Sequence, residues 1–183
     1  MDEKRRNLGF INVAHFVDHY VLLIFPTVVI GLVVELQRSY GELIALATAC
    51  FVAFGVFSLP WGWLGDHWSR RKMMVIFFFG CALTLAAAAI APNMIWLAVA
   101  LFALGVIAAI YHPVGVTILL ANATDRGRTL ATNGVFGNLG VAFAPGITAA
   151  IAATLGWRAA FALPALVCAL IGIAYLALTS ESK

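Results

Sequence analysis

Asn12-Val-Ala-His15-Phe-Val-Asp18-His19-Tyr20 lies inside a run that is otherwise almost wholly apolar, from Leu8 to Val34. A run of this length crosses a bilayer as a helix, because about 20 helical residues span the hydrocarbon core. An ionisable side chain at that depth costs at least about 2.5 kcal/mol even on the mildest scales, so it marks a site. Asp18 is the only Asp, Glu, Lys or Arg well inside any apolar run of the chain. The helical turn of about 100° per residue puts His15 and His19 on one face, with Asn12 beside them and Asp18 on the flank. A polar face that wide points into protein or a water-filled cavity, not into lipid.

The surrounding composition agrees. Of 183 residues, 63% are hydrophobic and 10% charged, whereas a soluble domain is roughly half apolar and a quarter charged. This is the composition of an integral membrane protein. The net charge of +3 is no nucleic-acid signal, because the basic residues fall in short loops. Cys50, Cys81 and Cys168 lie in separate apolar runs and read as small buried hydrophobes. No CxxC pair or Cys/His cluster suggests zinc or haem, so no cofactor is expected. Lys4-Arg5-Arg6 before an apolar run imitates a signal peptide, but the run is too long, is interrupted by His15, Asp18 and His19, and has no small-residue cleavage site. It reads as a retained first helix.

Six apolar runs follow one another, at about 8–34, 42–64, 73–91, 94–121, 129–154 and 159–178. Strands of a membrane barrel would be about ten residues long and alternating. The expectation is an all-α membrane protein, with residues 1–183 forming a single six-helix transmembrane bundle. Lys4, Arg5, Arg6, Arg70, Arg71, Lys72, Arg126, Arg128 and Lys183 fall on one side of such a bundle, and Arg38 and Arg158 on the other. The positive-inside rule then puts both termini in the cytoplasm of a multi-pass protein of the inner or plasma membrane. Trp61, Trp63, Trp68, Trp96 and Trp157 all fall near helix ends, as interfacial aromatics do.

The connection between the second and third runs reads Gly62-Trp-Leu-Gly65-Asp66-His67-Trp-Ser69-Arg70-Arg71-Lys72. A positive-inside signal explains its basic residues but not Gly62, Gly65 and Asp66. Here the chain resembles the major facilitator superfamily, whose signature at this place matches Gly62, Gly65, Asp66, Arg70 and Arg71; His67 and Ser69 depart from it. In that family the aspartate and basic residues pair with neighbouring helix ends and hold a cytoplasmic gate closed. The resemblance covers the whole chain but half of the family's pattern. It implies six helices arranged as a 3+3 inverted repeat, half of a twelve-helix fold with the substrate site between the halves. Gly156-Trp157-Arg158-Ala-Ala-Phe161 is similar to the family's start of helix six. Gly134, Gly137, Gly140, Ala144, Pro145 and Gly146 in the fifth run are similar to the glycine-proline bend of its antiporters, with Gly140, Pro145 and Gly146 at the bend. Small residues at this spacing also simply let helices pack closely.

The fourth run carries Tyr111-His112-Pro113-Val114-Gly115, where the proline removes one backbone bond and should bend the helix. With the His15–Tyr20 stretch and Pro26, this resembles the branch containing fosmidomycin-resistance-type efflux proteins. Helices one and four both line the family's central cavity. Counting along each span, His15 and His112 lie roughly 8 Å to the cytoplasmic side of the midplane, so they should meet. The expected cavity residues are therefore Asn12, His15, Asp18, His19, Tyr111 and His112.

The expected function is a secondary transporter of a small solute, coupled to protons at Asp18 and the histidines, since histidine titrates near neutrality. A single half needs a second lobe: another copy of itself, a different six-helix half, or the rest of a longer chain. The alternatives are a transition-metal transporter using His15, Asp18, His19 and His112 as ligands, and a non-transporting membrane subunit or fragment. With one carboxylate in the membrane, an enzyme is not expected. The substrate is not written in these motifs.

Overall fold

The computed structural model describes residues 3–180. Each apolar run becomes a helix because a chain in lipid must satisfy its backbone polar groups internally. Six helices are long and apolar enough to cross a membrane: α1 Glu3–Leu36, α2 Tyr40–His67, α3 Arg70–Ala89, α4 Met94–Asn122, α5 Arg126–Leu155 and α6 Trp157–Leu178. Among the described residues there is no strand. Lys183, counted above for orientation, lies outside the described residues.

The loops are short and their residues cap the helices. Ser39 accepts from the Glu42 amide at the start of α2 while Glu42 returns a bond to the Ser39 amide, the reciprocal arrangement that satisfies two orphan donors. Ser69, Asn93 and Asp125 cap α3, α4 and α5 by accepting from the amides of Lys72, Trp96 and Arg128, without a returned bond. Gly156 alone separates α5 from α6, and its φ of 85° is a conformation that glycine adopts without strain.

Packing is by pairs. α1 lies along α5, α2 along α4, and α3 along α6. Two glycines set the closest approaches. A Cβ on Gly105 of α4 would collide with the Cys50 carbonyl of α2, and a Cβ on Gly140 of α5 would collide with the Phe16 carbonyl of α1. Without a hydrophobic drive in lipid, such backbone-to-backbone contact is what holds helices together. The α3–α6 pair is tied at both ends. Arg71 at the start of α3 donates from Nη2 to the Leu176 carbonyl (2.6 Å) and from Nε to the Thr179 carbonyl (3.0 Å). Arg158 at the start of α6 donates to the Ala91 carbonyl beyond α3 (2.9 Å). Each arginine thus serves carbonyls that a helix end leaves without an intrahelical partner.

α2 and α5 are the least buried of the six spans, with Val52, Val56 and Leu59 on α2 and Val135, Leu139 and Phe143 on α5 exposed. The three cysteines are free and buried.

α4 departs from a regular helix at one place. It is α-helical over Met94–Ala108, winds as a π turn over Tyr111–Gly115, and resumes over Val116–Asn122. Pro113 has no amide to donate, and the ladder is already out of register just before it. The Ile110 amide turns to Ile107 (3.1 Å) instead of Val106. The freed Val106 carbonyl takes the Trp61 indole N–H from α2 (2.7 Å). Trp61, expected only as an interfacial aromatic, is therefore a backbone partner of the irregular turn. Such wide turns insert a residue and re-aim the side chains beside them; here they are Tyr111 and His112.

Candidate functional site

Helix spacing does the first part of the work. His15 and His19 stand one turn apart on α1, and their Nε2 atoms are 3.1 Å apart. The His15 Nδ1 lies 2.8 Å from the Asn133 carbonyl of α5. A carbonyl only accepts, so His15 donates from Nδ1 and presents the Nε2 lone pair to His19. The π turn does the second part. It places His112 Nε2 at 3.4 Å from Asp18 Oδ2, and its ring within 5.4 Å of His15 and 5.6 Å of His19, centre to centre. One nitrogen from each of the three histidines lies within 4.8 Å of the others.

Asp18 is fully buried, and neither carboxylate oxygen has a hydrogen-bond partner among the described residues. The His112 contact is at ion-pair distance without hydrogen-bond alignment. An orphaned carboxylate in such surroundings is stable only when protonated or when a cation stands beside it. The His112 side chain is 39% exposed, so the cluster reaches the surface beside Asp18.

A small polar network holds this arrangement. The Asn133 side chain is buried and donates to Asn12 Oδ1 (3.0 Å), while the Tyr111 hydroxyl donates to Asn133 Oδ1 (3.1 Å). Tyr111 also stacks on the His15 ring at 4.8 Å. Asn133 thus fixes His15 through its carbonyl and Tyr111 and Asn12 through its side chain. Beyond Asn12 a cavity of about 300 Å³ opens between the start of α1 and the start of α5, lined in part by Asp125, Arg128, Thr129 and Thr132. It leads from the Lys/Arg-rich end of the bundle to the network.

All six residues singled out from the sequence as a cavity set, Asn12, His15, Asp18, His19, Tyr111 and His112, come together. Asn133 was not among them, although a signal existed: it is an asparagine one to two turns inside the fifth apolar run.

The sequence profile of the Major Facilitator Superfamily matches residues 8–183. The chain belongs to the major facilitator superfamily. Members of the superfamily are membrane transporters, not enzymes. Two relatives are "Probable L-galactonate transporter" of Escherichia coli (strain K12), 30% identical over 129 residues, and "Uncharacterized MFS-type transporter YfnC" of Bacillus subtilis (strain 168), 28% identical over 150 residues. The matched stretches cover 69% and 81% of this chain but 28% and 37% of those proteins. The matched stretches therefore span well under half the length of either relative.

The superfamily loop between α2 and α3 can be followed residue by residue. A Cβ on Gly62 would stand 3.3 Å from Pro113, and one on Gly65 would stand 2.9 Å from Val114. The two motif glycines thus seat α2 against the π turn that carries His112. Asp66 pairs with Arg70 at 3.2 Å, one turn on, and both are solvent-exposed. Arg71 instead reaches the end of α6. The two departures from the signature have local roles. Ser69 caps α3 by accepting from the Lys72 amide (3.1 Å). His67 Nδ1 donates to the Trp63 carbonyl near the end of α2 (2.7 Å). On α5, Gly137 and Gly140 face His15 and Phe16, whereas Gly146 meets nothing within 4 Å.

Proposed function

We propose that the chain is a secondary transporter of a small solute, driven by protons, whose site is the α1–α4–α5 cluster. The observation that carries this reading is Asp18, a fully buried carboxylate without a hydrogen-bond partner among the described residues, set 3.4 Å from one member of a three-histidine cluster. A group whose burial favours one charge state and whose neighbours favour the other can bias two conformations, and a bound ligand or proton shifts the balance by preferring one of them.

Residues 1–183 are read as one six-helix unit, half of the superfamily fold, working against a second copy of itself or a different half. The apolar faces left open on α2 and α5 support that reading. A 3+3 inverted repeat would exchange α1 with α4, α2 with α5 and α3 with α6. The pairs α1–α5 and α4–α2 exchange under that operation, and so do the arginine ties of α3 and α6. His15, Asp18 and the Tyr111-His112-Pro113 turn support assignment to the branch of fosmidomycin-resistance-type efflux proteins.

The test is reconstitution of the chain in vesicles that enclose a pH-sensitive dye. Solutes are added from a panel that begins with L-galactonate, named for one relative, and includes sugar acids, cationic drugs and first-row divalent ions. At least one should move protons and accumulate under an imposed pH gradient. A panel without such a member would overturn the reading.

Orientation has its own test. The proposed orientation has both termini on the cytoplasmic side of the inner or plasma membrane, on the Lys/Arg count. A cysteine at Gly41, exposed with open space around it, should react with an impermeant thiol reagent from outside, and one at Gly127 should not. The native cysteines are buried and leave a low background. The opposite pattern would invert the assignment.

The Asp66–Arg70 pair is proposed as part of a cytoplasmic latch. Exposed pairs contribute about 0–1 kcal/mol to stability, so Asp66→Asn should keep its unfolding midpoint while solute turnover falls several-fold. Unchanged turnover would reduce the loop to a topological signal.

A further inference from the structure

Three imidazoles converge on a space the size of a single ion, and an orphaned carboxylate, Asp18, stands 3.4 Å from one of them, His112. Ligands about 2.0–2.1 Å from a tetrahedral zinc stand about 3.4 Å apart. The His15 and His19 Nε2 atoms are already 3.1 Å apart, and the widest separation in the trio is 4.8 Å. His112, partly exposed on the π turn, is the ring with room to close the difference. We propose that this cluster binds one first-row transition-metal dication through His15, His19 and His112, and that this ion is the cargo. The inference rests on the transporter reading above and names its substrate class.

Two further observations point to an ion. The first is the support behind His15. A metal-bound histidine almost always donates its other ring N–H to a carbonyl or carboxylate. His15 donates to the Asn133 carbonyl at 2.8 Å, and Tyr111 stacks on its ring. The Nε2 lone pair is therefore aimed at the cluster before any ligand arrives. The second is Asp18. Its two buried oxygens have no hydrogen-bond partner among the described residues, and it lies 3.4 Å from His112. Three neutral imidazoles would leave a dication's charge uncompensated in a low-dielectric site, and one carboxylate halves it.

The donor set also selects the ion. Imidazole nitrogens suit Zn²⁺, Co²⁺, Ni²⁺, Fe²⁺ and Cu²⁺, whereas Mg²⁺ and Ca²⁺ want several oxygens. No cysteine or methionine stands in the trio, which disfavours Cu⁺.

The test uses the tag-free 183-residue chain in detergent, stripped of metal and titrated calorimetrically with Zn²⁺ and, by visible absorption, with Co²⁺. One ion per chain is expected, with the strong visible bands of tetrahedral cobalt. His112→Ala should lose those bands, and His15→Ala with His19→Ala should abolish binding. Asp18→Asn should weaken it about 10- to 100-fold, as loss of a supporting carboxylate does. His67→Ala, an exposed histidine outside the cluster, should change nothing. The far-ultraviolet helix signal and gel-filtration profile keep a misfolded variant from counting as a result. No saturable binding, or binding that survives loss of His15 and His19, overturns the proposal. If an organic solute moves protons while no metal binds, the cargo assignment falls and the transporter reading stands. If metal binds at the cluster but no solute, metal included, crosses the vesicle, the site stands and the transporter reading falls.

Discussion

Asp18→Asn should leave a folded chain that no longer accumulates solute when a pH gradient is imposed. The amide has nearly the shape of the carboxyl, so the core around it, Ala14, Val17 and Val21, keeps its packing. The charged form of Asp18 is the costly one, because the group is fully buried and without a hydrogen-bond partner. Removing that charge should leave the unfolding midpoint unchanged or raise it, as replacement of buried ionic groups often does. Transport is affected in the opposite way. With the buried carboxylate gone from beside His112, the histidines are left without the opposite charge that would bias the two conformations with pH. Proton movement should fall to the level of empty vesicles, while downhill exchange of solute persists. Uphill transport equal to that of the unmodified chain would make Asp18 only a structural neighbour of the histidines.

Gly140→Leu should unfold the bundle more readily than any surface change. A side chain there meets the Phe16 carbonyl, with the His19 Cβ 3.2 Å away. α5 can make room only by leaving α1. Overpacking of this kind costs about 1–3 kcal/mol or more. The displacement also carries Asn133 off His15 and breaks the 2.8 Å bond that orients the ring. Gly134→Leu on the same helix meets nothing within 4 Å. It has the same gain in helix propensity and should stay within about 0.5 kcal/mol. Unfolding in mixed micelles measures both. Equal midpoints would mean that the close approach contributes nothing.

The sequence carried the fold class for a physical reason: lipid leaves helices and closed barrels as the only spanning structures, and each apolar run was of helix length. It also singled out six side chains that the structure brings together. His15 and His19 are joined by helix geometry alone, whereas the meeting of α1 with α4 was implied by the family resemblance, with depth along the two spans in agreement. Asn133 was harder to see, because an asparagine near the end of an apolar run reads equally well as a residue at the membrane surface. What it does depends on α5 lying against α1, which the glycine spacing suggests without fixing the facing residue. The π turn was hidden for a different reason. Pro113 announces a lost backbone bond, but whether a helix answers by bending or by widening is decided by its neighbours. Here they are Trp61, which takes the freed Val106 carbonyl, and Gly62 and Gly65, which admit Pro113 and Val114.

The reciprocal arginines of α3 and α6 impose an order on biosynthesis. Arg71 leaves the ribosome 108 residues before Thr179, its partner. At about 5–20 residues per second that is a wait of about 5–20 s. Until then the start of α3 carries its positive charge without the α6 carbonyls it will bind. That end of the α3–α6 pair is fastened only when α6 arrives.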